Sequence, residues 1–229
     1  MSIGPSGPPR RGVRLGAASL VSAGALFILF PAIRPFSDEA SLQGAEAFAS
    51  TGWVVAHVLG MLGFILTALG FLGVREALRG TSVERLSFQA LVVDWIGTGL
   101  TVAFFGAETF GLRVIGQEAL SRGTSAALSL ADDVRTGPGL AVFVVGLVLV
   151  AIAAIMLAVA IWRSGVLPRW SGVPFALGFA LYLPQFAATQ PIRVAHGVLV
   201  AIGCVWISSR LVDQTARSSG RSVIGRNDG

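Results

Sequence analysis

Lysine is absent from this 229-residue chain, and cysteine and tyrosine occur once each, as Cys204 and Tyr182. A single thiol excludes an intrachain disulfide, a paired-thiol redox site and any cysteine-based zinc motif. Cys204 lies inside an apolar run, where a thiol is normally inert packing. Charge is scarce as well: 13% of residues are charged, against about a quarter in soluble domains. What fills the chain instead is apolar, 54% of residues with a mean hydropathy of +0.76. These proportions suit one polytopic helical bundle rather than one or two soluble domains.

The net charge is +5 and every basic residue is arginine. The arginines stand between apolar runs and not along one face, so they read as topology-setting charges and not as a nucleic-acid surface. Absence of lysine beside abundant Gly, Ala and Val points to a GC-rich bacterial genome.

Six apolar runs follow in order. Residues 1–14, rich in Pro, Gly, Ser and Arg, read as a disordered cytoplasmic segment. Leu15 to Ile33 is the first run; Arg10, Arg11 and Arg14 before it imitate a secretory signal, but about 19 residues nearly span a bilayer. No clear small-residue cleavage site follows, which favours a retained helix. Gly52 to Val74 is the second. Its Ala56, Gly60, Gly63, Thr67 and Gly70 make a small-residue seam that admits a neighbouring helix closely, with His57 beside it. Thr81 and Glu84 have the spacing of a capping box and open the third run, Phe88 to Phe110. Residues 111–137 read as a helical continuation followed by a short amphipathic helix on the membrane surface. Asp132 and Asp133 there fit a solvated turn better than a cation site. Leu140 to Trp162 is the fourth run, with no ionisable residue, and its all-round apolarity places it toward lipid. Val173 to Thr189 is the fifth, with Gly178, Tyr182, Gln185 and Thr189 on one face and a kink expected at Pro184. Ile192 to Val212 is the sixth, and a disordered tail over 213–229 is expected after it. With six spans, 12 arginines fall on one side and 5 on the other. The positive-inside rule then puts both termini in the cytoplasm. The expected domain is thus a six-helix transmembrane bundle over 15–212.

The third run holds the polar line Asp94, Thr98, Thr101, Phe105 and Glu108, spaced 4, 3, 4 and 3 and therefore on one helix face. Intramembrane acids are costly and face a bundle interior or a wet cavity. The topology also sets His57 about 8 Å and His196 about 6 Å below the outer surface, at a similar depth to Glu108 and Gln185, with Arg193 one turn from His196. Three readings of this convergence stay open. In one, the groups only hold helices in register. In the second they form a site for a lipid or other hydrophobic small molecule, with His57, His196 and Glu108 as acid–base groups and Asp94, Thr98, Thr101, Tyr182, Gln185 and Arg193 as ligand-binding residues. The two histidines and Glu108 also match the ligand types of zinc, iron or haem, but no HExxH or helical ligand pair accompanies them, and the cofactor stays open. In the third, Asp94 and Glu108 belong to a proton-coupled transport path. A salt bridge from Asp94 to Arg75 or Arg163 is the plainer expectation for that acid.

Two stretches carry a likeness. Gly52-Trp53-Val54-Val55-Ala56-His57, and the loop Trp162-Arg163-Ser164-Gly165-Val166-Leu167-Pro168-Arg169-Trp170-Ser171-Gly172, resemble small bacterial multipass membrane proteins of the DUF4386-like type. The resemblance implies a helical membrane bundle in which Pro168 ends one element and Arg169 with Trp170 anchors the next. It implies no activity.

Overall fold

A computed structural model describes residues 10–227, with side chains described over 11–216. Every element among the described residues is helical: α1 (Arg10–Ile33), α2 (Leu42–Ala49), α3 (Thr51–Ala77), α4 (Glu84–Gly106), α5 (Leu112–Arg122), α6 (Ser129–Val134), α7 (Gly137–Ser164), α8 (Val173–Ala180) and α9 (Gln190–Asn227). Five helices are long and apolar enough to cross a membrane: α1, α3, α4 with its continuation α5, α7, and α9.

Small residues set the packing. A Cβ on Gly16 of α1 would lie 2.5 Å from the Gly73 Cα of α3, so only glycines allow this contact. Further along the same pair, Leu20 meets Gly70, Phe27 meets Gly63 and Phe30 meets Gly60. The α3 seam is therefore the groove that receives α1, side chain by side chain. Helix α9 packs on the other flank of α1, with Gly24 against Ala201 and the Ser208 hydroxyl donating to the Ala17 carbonyl at 2.8 Å. Helices α4 and α7 cross at Gly97 and Gly146, where an added Cβ would come 2.8 Å and 2.9 Å, respectively, from the facing backbone. All three pairs are antiparallel. The start of α1 and the second half of α9 consequently lie at the same end of the bundle, and the opposite end carries the α3 start and the α4 exit.

Residues 173–189 depart from expectation. They do not form one kinked span: α8 stops at Ala180, and a 3₁₀ turn over Pro184–Ala187 follows. Pro184 has no N–H and its ring clashes with the carbonyl four residues back, which is that of Ala180. The proline therefore terminates the helix where a mild kink was expected. The broken segment still runs beside α7, from Gly172 against Ala158 to Phe186 against Phe143.

Other boundaries differ too. Helix α1 already includes residues 10–14, while 1–9 lie outside the described residues. Helix α9 runs past Val212 to Asn227, with no proline to stop it and Arg210 paired to Asp213 at 3.3 Å across its surface. The capping box at Thr81 and Glu84 does not close. The Thr81 hydroxyl donates to the Leu78 carbonyl, finishing α3, and Glu84 accepts from the Gly80 N–H instead. Helix α7 is apolar all round but buries one stripe, from Phe143 through Val150 to Ile161, and exposes the other. Helix α7 ends at Ser164, ahead of Pro168: Gly165 takes the left-handed conformation after it (φ 65°), Pro168 precedes a 3₁₀ turn over Arg169–Gly172, and Trp162 meets Trp170 edge to face.

Beyond the α3 and α4 ends, α2, α5 and α6 form a cap with its own small core of Phe48, Trp53, Leu112, Ala119, Leu128 and Ala131. Helix α4 reaches it without breaking. A π turn over Ala107–Gly111 joins α4 to α5, giving 39 helical residues from Glu84 to Arg122. At 1.5 Å per residue that is about 58 Å, against a hydrocarbon core of about 30 Å, so the far end must project from the membrane. Asp132 and Asp133 are exposed on this cap.

The α4–α7 crossing yields a direct test. Gly97→Val should lower the melting temperature in detergent by an amount equivalent to about 1–3 kcal/mol of overpacking. Gly99→Ala, at an open position of the same helix, should leave it unchanged. Equal behaviour of the two variants in a thermal unfolding scan would contradict this crossing.

Candidate functional site

The cap does not seal the bundle. Between them lies a cavity of about 420 Å³, lined by the charged and polar side chains of Arg34, Glu39, His57, Glu108, Arg135 and Arg193 and the apolar ones of Phe30, Phe36, Phe104, Leu140, Phe143 and Phe186.

Each charged wall residue is held by a specific local feature. Ser50 caps α3 by accepting from the Trp53 N–H at 3.1 Å, which fixes the first turn and hence His57 one turn further on. The His57 Nδ1 is 2.7 Å from the Trp53 carbonyl. A carbonyl only accepts, so Nδ1 carries the proton and the neutral ring leaves Nε2 free. That Nε2 lies 4.0 Å from Glu108 Oε2. Trp53, Phe30 and Phe105 enclose the ring. Glu108 stands in the π turn, and such bulges recur at functional sites.

From Glu108 a chain of ion pairs crosses the cavity mouth. Arg135 donates from Nε (3.0 Å) and Nη2 (2.8 Å) to Glu108 Oε1. Its Nη1 pairs with Glu39, and Glu39 takes Arg34 Nη2 at 2.7 Å. Burial opposes ionisation of Glu39, but Arg135 and Arg34 together outweigh it and hold the carboxyl below its ordinary value. Burial likewise opposes the charge of Arg135, and Glu108 with Glu39 reverses the sign and raises its pKa. Trp53 supplies a ring face to both guanidinium groups, 4.7 Å from Arg34 and 5.9 Å from Arg135.

The remaining expected residues divide. Tyr182, Gln185 and His196 line a second, small cavity of about 10 Å³ that shares Phe30, Arg34, Phe36, Phe186 and Arg193 with the first. His196 Nε2 bonds the Gly178 carbonyl at 2.7 Å. The two histidines thus occupy neighbouring cavities with Phe30 in the shared wall, and each already gives one nitrogen to a backbone carbonyl. Among the described residues no three His, Cys, Asp or Glu side chains are grouped to hold a metal ion.

Asp94, Thr98 and Thr101 line neither cavity. Asp94 is about 21 Å along the helix from Glu108, counting 14 residues at 1.5 Å, and is fully buried. The expected salt bridge does not form. Both Asp94 oxygens and both threonine hydroxyls lack a hydrogen-bond partner, while the Arg75 guanidinium lies over Phe88 at 5.1 Å. Asp94 sits on the face of α4 turned into the bundle, away from the helix end where the arginines are.

Sequence reasoning missed Arg34, Glu39 and Arg135. All three stand at or beyond helix ends, where no periodicity marks them. The available signal was unbalanced charge: an acid-rich first loop opposite a second loop containing arginines. Neither the protein-family models, the curated proteins nor the solved structures contain a match to this chain.

The Glu39 pairs make stability pH-dependent with a defined sign. A carboxyl lowered on folding stabilises the protein above its unfolded value, near 4.5, and loses that contribution as pH falls through the folded value. The melting temperature in detergent should therefore drop as pH is taken below 4.5. Glu39→Gln should start lower and show a shallower acid drop. An equally steep drop in that variant would remove Glu39 from the explanation.

Proposed function

We propose that this integral membrane protein binds a lipid or other hydrophobic small molecule in the cavity beneath the cap, with His57 and Glu108 as acid–base groups at its wall. The observation carrying the proposal is the mixed lining. Five aromatic rings and Leu140 join three arginines, two glutamates and a histidine around a volume within the usual range of small-molecule sites, about 300–1,000 Å³. Such a lining suits an amphiphile that enters sideways from the bilayer. His57 keeps Nε2 as an available base, and Glu108 lies close enough to stabilise the imidazolium formed when it takes a proton.

The proposal includes the topology. Residues 173–189 are a sixth, broken crossing, since they return antiparallel to α7 from one end of the bundle to the other. Broken segments are tolerated in membranes where protein buries them, and α7 and α9 flank this one. The 12-to-5 arginine distribution then puts both termini in the cytoplasm and the cavity at the outer leaflet.

A second reading, proton-coupled transport, is favoured by one observation: Asp94, Thr98 and Thr101 place four unpartnered polar atoms on one buried helix face. Buried polar atoms normally have partners, and intramembrane acids mark proton relays. On this reading Asp94→Asn abolishes substrate-linked proton uptake in proteoliposomes. On the binding reading it leaves ligand affinity unchanged.

Two measurements test the main proposal. His57→Gln, which keeps a side chain of similar size able to donate to the Trp53 carbonyl, should keep most of the thermal stability yet reduce saturable binding of a fluorescent single-chain amphiphile by about tenfold or more. A large loss of stability would instead assign His57 to helix packing. In a Cys204→Ser background, a cysteine at the Arg79 position should react with an impermeant maleimide only after the membrane is opened. Labelling from outside would overturn the orientation.

A further inference from the structure

The two cavities share the side chain of Arg193, and its surroundings say more about the ligand than the larger cavity does alone. Every other arginine of the cavity wall has a carboxylate partner: Arg34 holds Glu39, and Arg135 holds Glu39 and Glu108. Arg193 has none. Its Nε donates to the Ala188 carbonyl at 2.9 Å and its Nη2 to the Phe186 carbonyl, and its guanidinium stands over Phe36 and Phe186. Those bonds fix the group in place without neutralising it. The wall holds three arginines against two glutamates, and both glutamates are engaged, so one positive charge is left over.

Beside that charge two further groups lack partners. Tyr182 is 2% exposed and Gln185 9% exposed, and neither the phenol nor the amide makes a hydrogen bond among the described residues, though both line the small cavity with Arg193. Both side chains line the small cavity, so their polar ends are open to whatever occupies it. The guanidinium offers only donors, and the phenol and amide each offer at least one. The chemistry they lack in common is an acceptor, and the leftover charge makes it an anionic one.

Resting on the amphiphile-binding reading above, we propose that Tyr182, Gln185 and Arg193 form the headgroup subsite, and that the headgroup is a carboxylate on a single acyl chain. Charge decides between carboxylate and phosphate. About 10 Å³ is room for roughly one water-sized group, so one headgroup oxygen enters it while the chain lies along Phe30, Phe143 and Phe186 in the larger cavity. The single positive charge left over matches a monoanionic carboxylate, whereas a phosphate monoester carries about −1.5 to −2 at neutral pH.

The test is equilibrium binding to the detergent-purified chain of oleate, oleyl alcohol and lysophosphatidic acid. Oleate is expected to bind about tenfold or more tightly than the alcohol, the size of one charge-assisted hydrogen bond, and more tightly than lysophosphatidic acid. Arg193→Gln should remove the preference, bringing oleate down to the level of the alcohol. Tyr182→Phe keeps the ring packed between Phe27 and Phe64, so it guards against a folding defect; it should weaken oleate alone by a few-fold. An oleate preference that persists in both variants overturns the subsite while the cavity reading stands. Tightest binding of lysophosphatidic acid replaces the carboxylate with phosphate and overturns the assignment. Failure of all three probes to bind the wild type overturns the cavity reading itself.

Discussion

Arg135 bridging Glu39 and Glu108 is the interaction on which the rest of this end of the molecule depends. It joins the loop after α1, the π turn at the top of α4 and the residue that follows α6. No backbone ladder connects those three places. An exposed ion pair is worth little, about 0–1 kcal/mol, but this guanidinium is largely enclosed and is satisfied on two carboxylates at once. Breaking it should cost more than breaking an exposed pair and less than breaking a fully buried one, about 3–5 kcal/mol, since its side chains keep 24% and 30% exposure. The same bonds that hold the cap over the bundle also keep the mouth of the cavity polar. Packing and chemistry therefore share one set of residues here, and variants of Arg135 mix the two effects. Arg193, which has no carboxylate partner, separates them better.

The interior obeys a different rule. Below the cap the helices meet through small residues, glycine on glycine at Gly16–Gly73 and Gly97–Gly146, with α1 side chains set into the α3 groove. Between lipid-facing helices there is no hydrophobic driving force to spare, and close van der Waals contact does the work. Against that background the Asp94 face is an exception. Thr67, Thr109 and Ser208 each give their hydroxyl to a carbonyl, the usual solution for a hydroxyl in a membrane helix. Thr98 and Thr101, on the same face as Asp94, do not.

The long helices were legible because twenty apolar residues in a row have few other uses, and the inward face of α4 was legible because Asp94, Thr98, Thr101 and Glu108 recur at helical spacing. His57 and Glu108 were identifiable for the same reason, as polar groups that interrupt apolar runs. What sequence could not supply was partnership between distant positions. Glu39 and Arg135 are 96 residues apart, and nothing in either loop names the other. Asp94 shows the converse: its face was readable, but a nearby arginine in sequence was not a neighbour in space, because the carboxylate is buried inside the bundle and the arginines sit at its end. Pro184 lies between these cases. Its effect on the Ala180 carbonyl followed from covalent geometry, but whether the helix bends or ends there depends on what packs around it.

The central claim is that the cavity under the cap is filled by an amphiphile, and native mass spectrometry of the chain released from mild detergent tests it most directly. The wild type should carry one tightly held amphiphile per chain that survives collisional removal of the detergent shell. Leu140→Trp, which enlarges an apolar residue of the cavity lining that takes no part in its ion pairs, should lack it. Wild-type and variant chains that retain the same bound lipids, or none, would contradict the account.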